Sequence, residues 1–227
     1  MARSTTGTDK LQNGSIAASL WSGMVWSVSG WVDAGSANGL FAADAGSNTS
    51  RGWHISKDSG SGKIIYTHAG IADYTTAISN PTGLFHVAIV AVSSTEVRVY
   101  INGTSDTQTV TALSEPLDAG MVIGGTNRYG GLRLAANYAE WAVWDVALTA
   151  AEVASLAKGF APSLIRPASL VNYWPIIGKY SPEIDVAGGG GLTLTGTAAA
   201  AHPRVIYPRR RQVGMAGSGA SPSPIDG

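Results

Sequence analysis

The sequence contains no cysteine among its 227 residues. A disulfide bond and a thiolate metal site are therefore excluded, and no thiol nucleophile is available for catalysis. The fold must be stable through its hydrophobic core alone.

Charge is also scarce in this chain. Charged residues make up 13% of the sequence, and 15 basic residues balance 15 acidic ones to a formal net charge of zero. Without a positive excess, nucleic acid and anionic membranes are not expected as partners.

The N-terminus lacks the apolar run of a signal peptide, and no run of about 18 apolar residues occurs that would span a bilayer. We therefore expect a protein made as a soluble cytoplasmic product.

Short β-type runs, separated by Gly, Asn, Asp and Ser, fill residues 14–146. Residues 24–32 (MVWSVSGWV) carry apolar side chains on both faces, which is typical of a central strand. In VRVYINGT (97–104), Asn102-Gly103 supplies the positive φ angles of a type I′ hairpin turn, so Val97, Val99 and Ile101 should face the core. The pattern predicts an all-β protein.

One helix and an irregular C-terminal part complete the prediction. Thr149 and Glu152 form a capping box, which predicts a helix from about Thr149 to Lys158. Beyond it, prolines recur around four consecutive glycines at 188–191, so regular structure should be scarce. We therefore divide the chain into an N-terminal arm (1–14), a β-sandwich (15–160) and a Pro/Gly-rich extension and docking tail (161–227). Deleting residues 204–227 should leave the thermal unfolding of the sandwich nearly unchanged.

Several motifs in order carry a family resemblance. The hairpin VRVYINGT (97–104), the run Ile123-Gly124-Gly125 and the segment DVALTAAEV (145–153) after a Trp-rich strand resemble the closing half of laminin-G-like domains in the concanavalin A-like superfamily. The similarity spans roughly residues 15–160. It implies a two-sheet antiparallel jelly-roll sandwich with sugar or protein ligands on the concave face or the rim loops, and often a calcium ion. The segment 172–203 is similar to extensions of such domains in tailed-phage proteins, which implies a virion.

Catalysis is not expected. The glycosidases of this superfamily would present alternating carboxylates on one strand, and only Glu183-Ile184-Asp185 looks similar. Ala187 occupies the next alternate position and Pro182 precedes the run. A glycan hydrolase is therefore the least favoured function.

Sugar-binding residues are predicted among aromatic residues that have polar neighbours near loops and strand ends, because aromatic faces stack on sugar rings. Packing remains an open alternative for each, and Trp26, Trp31, Trp141 and Trp144 are predicted to be core residues. The carbohydrate-binding candidates are Trp53, His54, Tyr74, Asn127, Arg128 and Tyr129.

Metal binding has weak support in the sequence. His54, His68, His86 and His202 lack the spacing of a zinc site, and structural or surface roles are predicted for them. No metal site is assigned, and no cofactor is expected apart from calcium. Calcium would need loop oxygens that converge, and the candidates are Asp44, Asn48, Asp58, Asp73 and Asp118.

The leading functional hypothesis is a non-enzymatic phage virion protein, a capsid-decorating or virion-surface protein located in the virion. Its partners would be other virion proteins or copies of itself, with cell-surface glycan as a further ligand. The alternative is a carbohydrate-binding adhesion module that recognises host glycans. The candidate assembly contacts in the extension are Tyr173, Trp174, Tyr207, Arg209, Arg210 and Arg211.

Overall fold

The computed structural model describes residues 2–6, 9–47, 49–113, 118–129 and 133–207. Within them the chain forms, in order, β1 (Ala2–Ser4), β2 (Lys10–Asn13), α1 (Ala18–Ser22), β3 (Trp26–Asp33), β4 (Gly39–Asp44), β5 (Trp53–Lys57), β6 (Lys63–His68), β7 (Ala72–Ser79), β8 (Leu84–Ser93), β9 (Glu96–Ile101), β10 (Thr104–Thr109), β11 (Met121–Ile123), β12 (Asn137–Trp144), α2 (Ala150–Ala157), β13 (Leu170–Trp174), β14 (Thr193–Thr195) and β15 (Ala198–Ala200). Two short 3-10 helices, Pro162–Leu164 and Pro167–Ser169, lie between α2 and β13.

The strands pair antiparallel in two sheets, which confirms the predicted sandwich. Sheet A has the order β10-β9-β8-β3-β12-β1-β15, and β13 also pairs with β12. Sheet B has the order β14-β2-β11-β4-β5-β6-β7. β3 lies between β8 and β12, so the strand with two apolar faces is central, as its sequence predicts.

The main core lies between the two sheets. Trp21 of α1, Trp26 of sheet A and Trp53 of sheet B meet there, with ring centroids 5.1–5.4 Å apart. Aromatic rings at these separations pack favourably at tilted or edge-on angles. The three indoles therefore connect both sheets and α1 at one point.

A second apolar cluster covers part of the outer face of sheet A. Val153 and Leu156 of α2 pack there against Tyr100 and Trp144. The helix begins after Thr149, whose hydroxyl accepts from the Glu152 backbone N–H while the Glu152 carboxylate accepts in return from Thr149. The predicted capping box and helix are confirmed.

The tight hairpin is also confirmed. Asn102 and Gly103 have φ angles of 51° and 83°, and Ile101 pairs directly with Thr104. Val97, Val99 and Ile101 belong to the main core. The face of β9 that the alternation assigns to the core is therefore the buried one.

Residues on both sides of the predicted sandwich, 15–160, contribute strands to the two sheets. β1 pairs with β12 and β15, and β2 pairs with β11 and β14, so residues assigned to an N-terminal arm are sheet strands. β13 pairs with β12, and Trp174 and Leu192 are core residues. These strands have three to five residues, a length at which Pro and Gly neighbours hide the alternation.

Glu140 marks the junction where β12 changes partner. β1 pairs with Asn137 and Tyr138, β13 pairs from Trp141 onward, and Glu140 between them has a φ of 57°. Its buried carboxylate accepts hydrogen bonds from the hydroxyls of Tyr173 (2.5 Å) and Tyr207 (3.0 Å). Glu140 therefore links the C-terminal segment to sheet A.

His202 completes this junction. Its Nε2 lies 3.0 Å from both the Glu140 carboxylate and the Pro175 carbonyl, and its Nδ1 lies 2.8 Å from the Pro203 carbonyl. Carbonyl oxygens only accept, so both ring nitrogens must donate, which requires the imidazolium form. Burial alone would lower the pKa of His202, but these hydrogen bonds outweigh it and raise the pKa above 6.5.

Two local predictions were wrong. Trp31 is half-buried on the outer face of sheet A, whereas Trp26, Trp141 and Trp144 are buried as predicted. The reason is that α2 covers only the other part of this face. The sequence of residues 132–134 (LRL) also predicts a short strand, whereas Arg133 makes an isolated bridge with Leu40, and residue 132 lies outside the described part of the chain. Within the described ranges, no helix has the length and apolarity needed to cross a membrane.

Candidate functional site: a polar groove on sheet B

Alternation along β5 and β6 places polar side chains on the outer face of sheet B. Trp53 and Ile55 of β5 point into the main core, as do Ile64 and Tyr66 of β6. Because successive side chains of a strand point to opposite faces, the residues between them point outward. These outward residues are His54, Ser56, Ile65 and Thr67.

The outward side chains line an open groove, called here the sheet B groove. It consists of two adjoining cavities of about 280 and 410 Å³, which share His54, Thr67 and Asp73. The first is also lined by Asn38, Gly39, Leu40, Ser56, Lys57, Asp58, Ser59, Ile65 and Arg133, and the second by His68, Gly70, Ile71, Ala72 and Tyr129.

His54 occupies the point that the two cavities share. Its side chain is 7% exposed and its Nδ1 has no hydrogen-bond partner. The ring meets Tyr129 edge-on at 5.7 Å between centroids. Burial, followed by the nearby Arg128 charge, lowers the pKa of His54 to about 4. The imidazole is therefore neutral near pH 7, and its buried Nδ1 has no hydrogen-bond partner among the described residues.

A buried ion pair supports the groove from below. The Arg128 guanidinium lies 2.5 Å from the Asp44 carboxylate, and the Asp44 carboxylate also accepts from the Trp53 backbone N–H at 2.8 Å. Arg128 Nε donates to the Arg51 carbonyl at 2.9 Å. Gly52 has a φ of 112°, and a side chain there would clash with the Arg128 guanidinium. Burial raises the pKa of Asp44, although the hydrogen bond from Arg128 opposes the rise.

The charges that line the groove are balanced. Asp58 and Asp73 supply two carboxylates, and Lys57 and Arg133 supply two cations. Asp73 is exposed and accepts from the Thr67 hydroxyl at 2.5 Å. The groove therefore offers hydroxyl, carboxylate and imidazole groups without a net charge.

Only part of the predicted sugar-binding set meets in this groove. His54 and Tyr129 line it. Trp53 was predicted there but is a core residue, since it points inward from β5. Tyr74 packs against the core and its hydroxyl accepts from the Thr111 backbone N–H at 2.7 Å.

Asn127 and Arg128 have structural positions. The Asn127 side chain accepts from Lys10 Nζ (2.5 Å) and donates to the Ala45 carbonyl (2.6 Å). Arg128 lies beneath the groove in the ion pair with Asp44 and is 8% exposed. Their polar groups therefore bind other parts of the chain.

The predicted assembly contacts also differ in their position in the structure. Tyr173 and Trp174 are 2% and 0% exposed, so they cannot form a surface contact, because β13 is an internal part of the sandwich. Tyr207 is half exposed, but its hydroxyl is bound to Glu140. Arg209, Arg210 and Arg211 lie outside the described residues.

Glu183 and Asp185 take part in contacts that hold the C-terminal segment. Glu183 is 1% exposed and accepts from Arg3 Nε (2.7 Å) and the Gly178 backbone N–H (2.9 Å). Asp185 accepts from the Asn172 side chain (2.5 Å) and the Tyr173 backbone N–H (2.9 Å). Both carboxylates thus have structural partners.

Three of the five candidate calcium ligands bind other groups of the chain. Asp44 binds Arg128, Asp58 accepts from Ser61, and Asp73 accepts from Thr67. Asn48 lies outside the described residues. Among the residues that the structure describes, no three His, Asp or Glu side chains converge on one point. Calcium binding stays a prediction.

Sequence reasoning missed most residues of the groove. Ser56 and Thr67 line it but were not singled out, and Asp58 and Asp73 were named only as candidate calcium ligands. The signal was present in WHISK (53–57) and KIIYTH (63–68), where large apolar residues alternate with His54, Ser56 and Thr67. Alternation identifies the two faces but not which outward side chains share a cavity.

Comparisons with known proteins agree with the architecture. A model of the concanavalin A-like lectin/glucanases superfamily, Laminin_G_3, matches residues 6–154. No curated protein matches the sequence.

Two solved structures show the same fold. A heptameric SAP-like pentraxin from Limulus polyphemus has a TM-score of 0.53 and 18% identity over 69% of this chain and 81% of its own. A putative carbohydrate binding protein from Bacteroides ovatus has a TM-score of 0.63 and 15% identity, and the match covers 89% of this chain and 60% of that protein. The family model, which matches more than half of the sequence, and the two-sheet sandwich together show that this chain belongs to the concanavalin A-like lectin/glucanases superfamily.

Proposed function

We propose that the protein is a carbohydrate-binding module whose binding site is the sheet B groove. The observation that carries this proposal is His54, which lines both cavities and whose buried Nδ1 has no hydrogen-bond partner among the described residues. A buried polar atom without a partner costs free energy, which a ligand hydroxyl would recover on binding.

The groups around His54 suit a neutral sugar. The Asp73 carboxylate and the Thr67 hydroxyl supply an acceptor and a donor for ligand hydroxyls, and Tyr129 supplies an aromatic ring at the edge. The two carboxylates and two cations of the groove balance, which favours an uncharged ligand over a strongly acidic one. The carbohydrate-binding description of the Bacteroides ovatus relative is consistent with this choice.

The proposed action is binding without hydrolysis. Glu183 and Asp185, the carboxylates that look most like a glycosidase pair, are held by Arg3, Asn172 and backbone N–H groups. A carboxylate must reach the glycosidic bond to act as acid or nucleophile. A phage virion location and virion partners stay predictions from the sequence, as does display of the domain on a particle.

Glycan-array screening of the full chain, followed by calorimetric titration of the best ligand, tests the proposal. Asp73→Asn should weaken binding about tenfold or more, because a hydrogen bond to a charged group contributes about 1.5–3 kcal/mol. Tyr129→Ala should weaken it about threefold or more. Asp145→Asn, at an exposed carboxylate after β12, is the matched control and should change nothing.

Two results would overturn the proposal. The first is an array without a bound glycan. The second is full affinity in Asp73→Asn and Tyr129→Ala, which would place the binding site elsewhere. Release of reducing sugar from the bound glycan would instead overturn the proposal that the protein binds without hydrolysis.

A further inference from the structure

The part of sheet A that α2 leaves uncovered contains a second, smaller cleft. Trp31 and Asp33 of β3 point outward there, and Asp33 lies opposite Leu84 of β8 and Asn137 of β12 in the pairing register. The cleft has a volume of about 90 Å³, and His202 and Pro203 form part of its wall. It lies on the other sheet from the sheet B groove.

This cleft combines an unpaired carboxylate with an aromatic ring and apolar walls. Within the described ranges, Asp33 and Asn137 make no side-chain hydrogen bond or ion pair. Trp31 is half-buried, and Leu84 is 49% exposed. Trp31 and Leu84 therefore give the cleft apolar walls beside a carboxylate that has no partner among the described residues.

The charge that the cleft presents is negative. His86, which packs edge-on against Trp31, is fully buried, and burial lowers its pKa to about 3, so it is neutral. His202 faces the cleft as a cation, but Glu140 compensates its charge at 3.0 Å. Asp33 remains as the charge without a partner.

We propose that this cleft binds one cationic side chain, a lysine or an arginine, of a partner protein. Asp33 pairs with the cationic group, and the Trp31 ring attracts it through its negative face. Leu84 and Pro203 contact the aliphatic stem. The cleft is small, with a volume of about 90 Å³, which suits a single narrow side chain.

Nuclear magnetic resonance of the 15N-labelled full chain tests this proposal. The indole N–H signal of Trp31 is assigned by its loss in Trp31→Phe. Nα-acetyl-lysine methylamide and its arginine counterpart should shift this signal saturably at millimolar concentrations. The norleucine counterpart, which has a similar length without charge, should not. Equal shifts with norleucine, or no shift with either cation, would overturn the proposal.

Three variants localise the interaction. Asp33→Asn should weaken the binding of both cations about fivefold, the upper range for an exposed ion pair. Asp145→Asn removes an exposed carboxylate elsewhere and should leave it unchanged. Replacement of Arg209, Arg210 and Arg211 by alanine tests occupation by the chain's own basic run. If this variant binds the lysine and arginine amides with unchanged affinity, the result supports an external partner. A higher affinity in this variant would overturn that assignment.

Discussion

Burial determines the charge of the histidines in this protein. His54 and His86 are buried without an acid partner, and burial lowers their pKa values to about 4 and about 3. His202 is partly buried beside Glu140 and two carbonyl groups, and its pKa is raised instead. The sequence predicted structural or surface roles for all of them, but these opposite charge states depend on three-dimensional neighbours.

His86 should make the protein sensitive to acid. Between pH 6.5 and about 3, the unfolded chain binds a proton at His86 and the folded chain does not, so the free energy of unfolding falls as the pH falls. The loss is about 1.4 kcal/mol per pH unit, or about 3 kcal/mol at pH 4.5. His86→Leu should remove this contribution, which urea unfolding at pH 7 and pH 4.5 would measure. Equal pH dependence in both proteins would contradict the assigned pKa.

At the scale of elements, local signals predicted the structure best. The hairpin at Asn102-Gly103 and the capping box of α2 each depend on interactions within a few residues, and both are present. β1, β2, β13, β14 and β15 have three to five residues, and their pairing depends on partners far away in the sequence. β7 was also missed, because its residues alternate between exposed and half-buried and include few large apolar side chains.

The hairpin gives a direct test of backbone conformation. Gly103 has a φ of 83°, and a side chain there would meet atoms only at ordinary distances of 3.8–4.0 Å. Gly103→Ala should therefore lower the free energy of unfolding by about 1–2 kcal/mol, the cost of a left-handed conformation for a residue with a Cβ. Gly14→Ala, where a Cβ would meet nothing within 4 Å, is the control and should cost less than about 0.5 kcal/mol. Equal values for the two variants in chemical denaturation would refute this explanation.

At the scale of the whole molecule, strands within residues 2–13 and 170–200 complete the sandwich. One edge of β12 is paired by β1 and β13, and the other edge is paired by β3. Without β13, the half of β12 that contains Trp141 and Trp144 would expose unpaired backbone groups. The segment predicted as an extension and docking tail, 161–227, therefore supplies a strand of sheet A. Composition showed many prolines and glycines, but it could not show that the segment supplies Trp174 to the core.

The last contacts of the described chain should contribute measurably to stability, contrary to the expectation for deleting 204–227. Ile206 donates to the Gly159 carbonyl and accepts from the Ala161 N–H, and the Tyr207 hydroxyl donates to Glu140. We estimate their sum at about 3–4 kcal/mol, from about 1 kcal/mol for each backbone bond and more for the bond to a carboxylate.

Two truncated chains isolate these contacts. A chain that ends at Tyr207 retains them, whereas a chain that ends at Pro203 loses them and leaves the buried Glu140 carboxylate with one hydroxyl partner fewer. Because about 1 kcal/mol changes the Tm of a domain of this size by about 2–4 °C, the shorter chain should melt about 10 °C lower. Differential scanning calorimetry of both chains measures the difference. Coincident melting curves would show that residues 204–207 do not hold the C-terminal segment on sheet A.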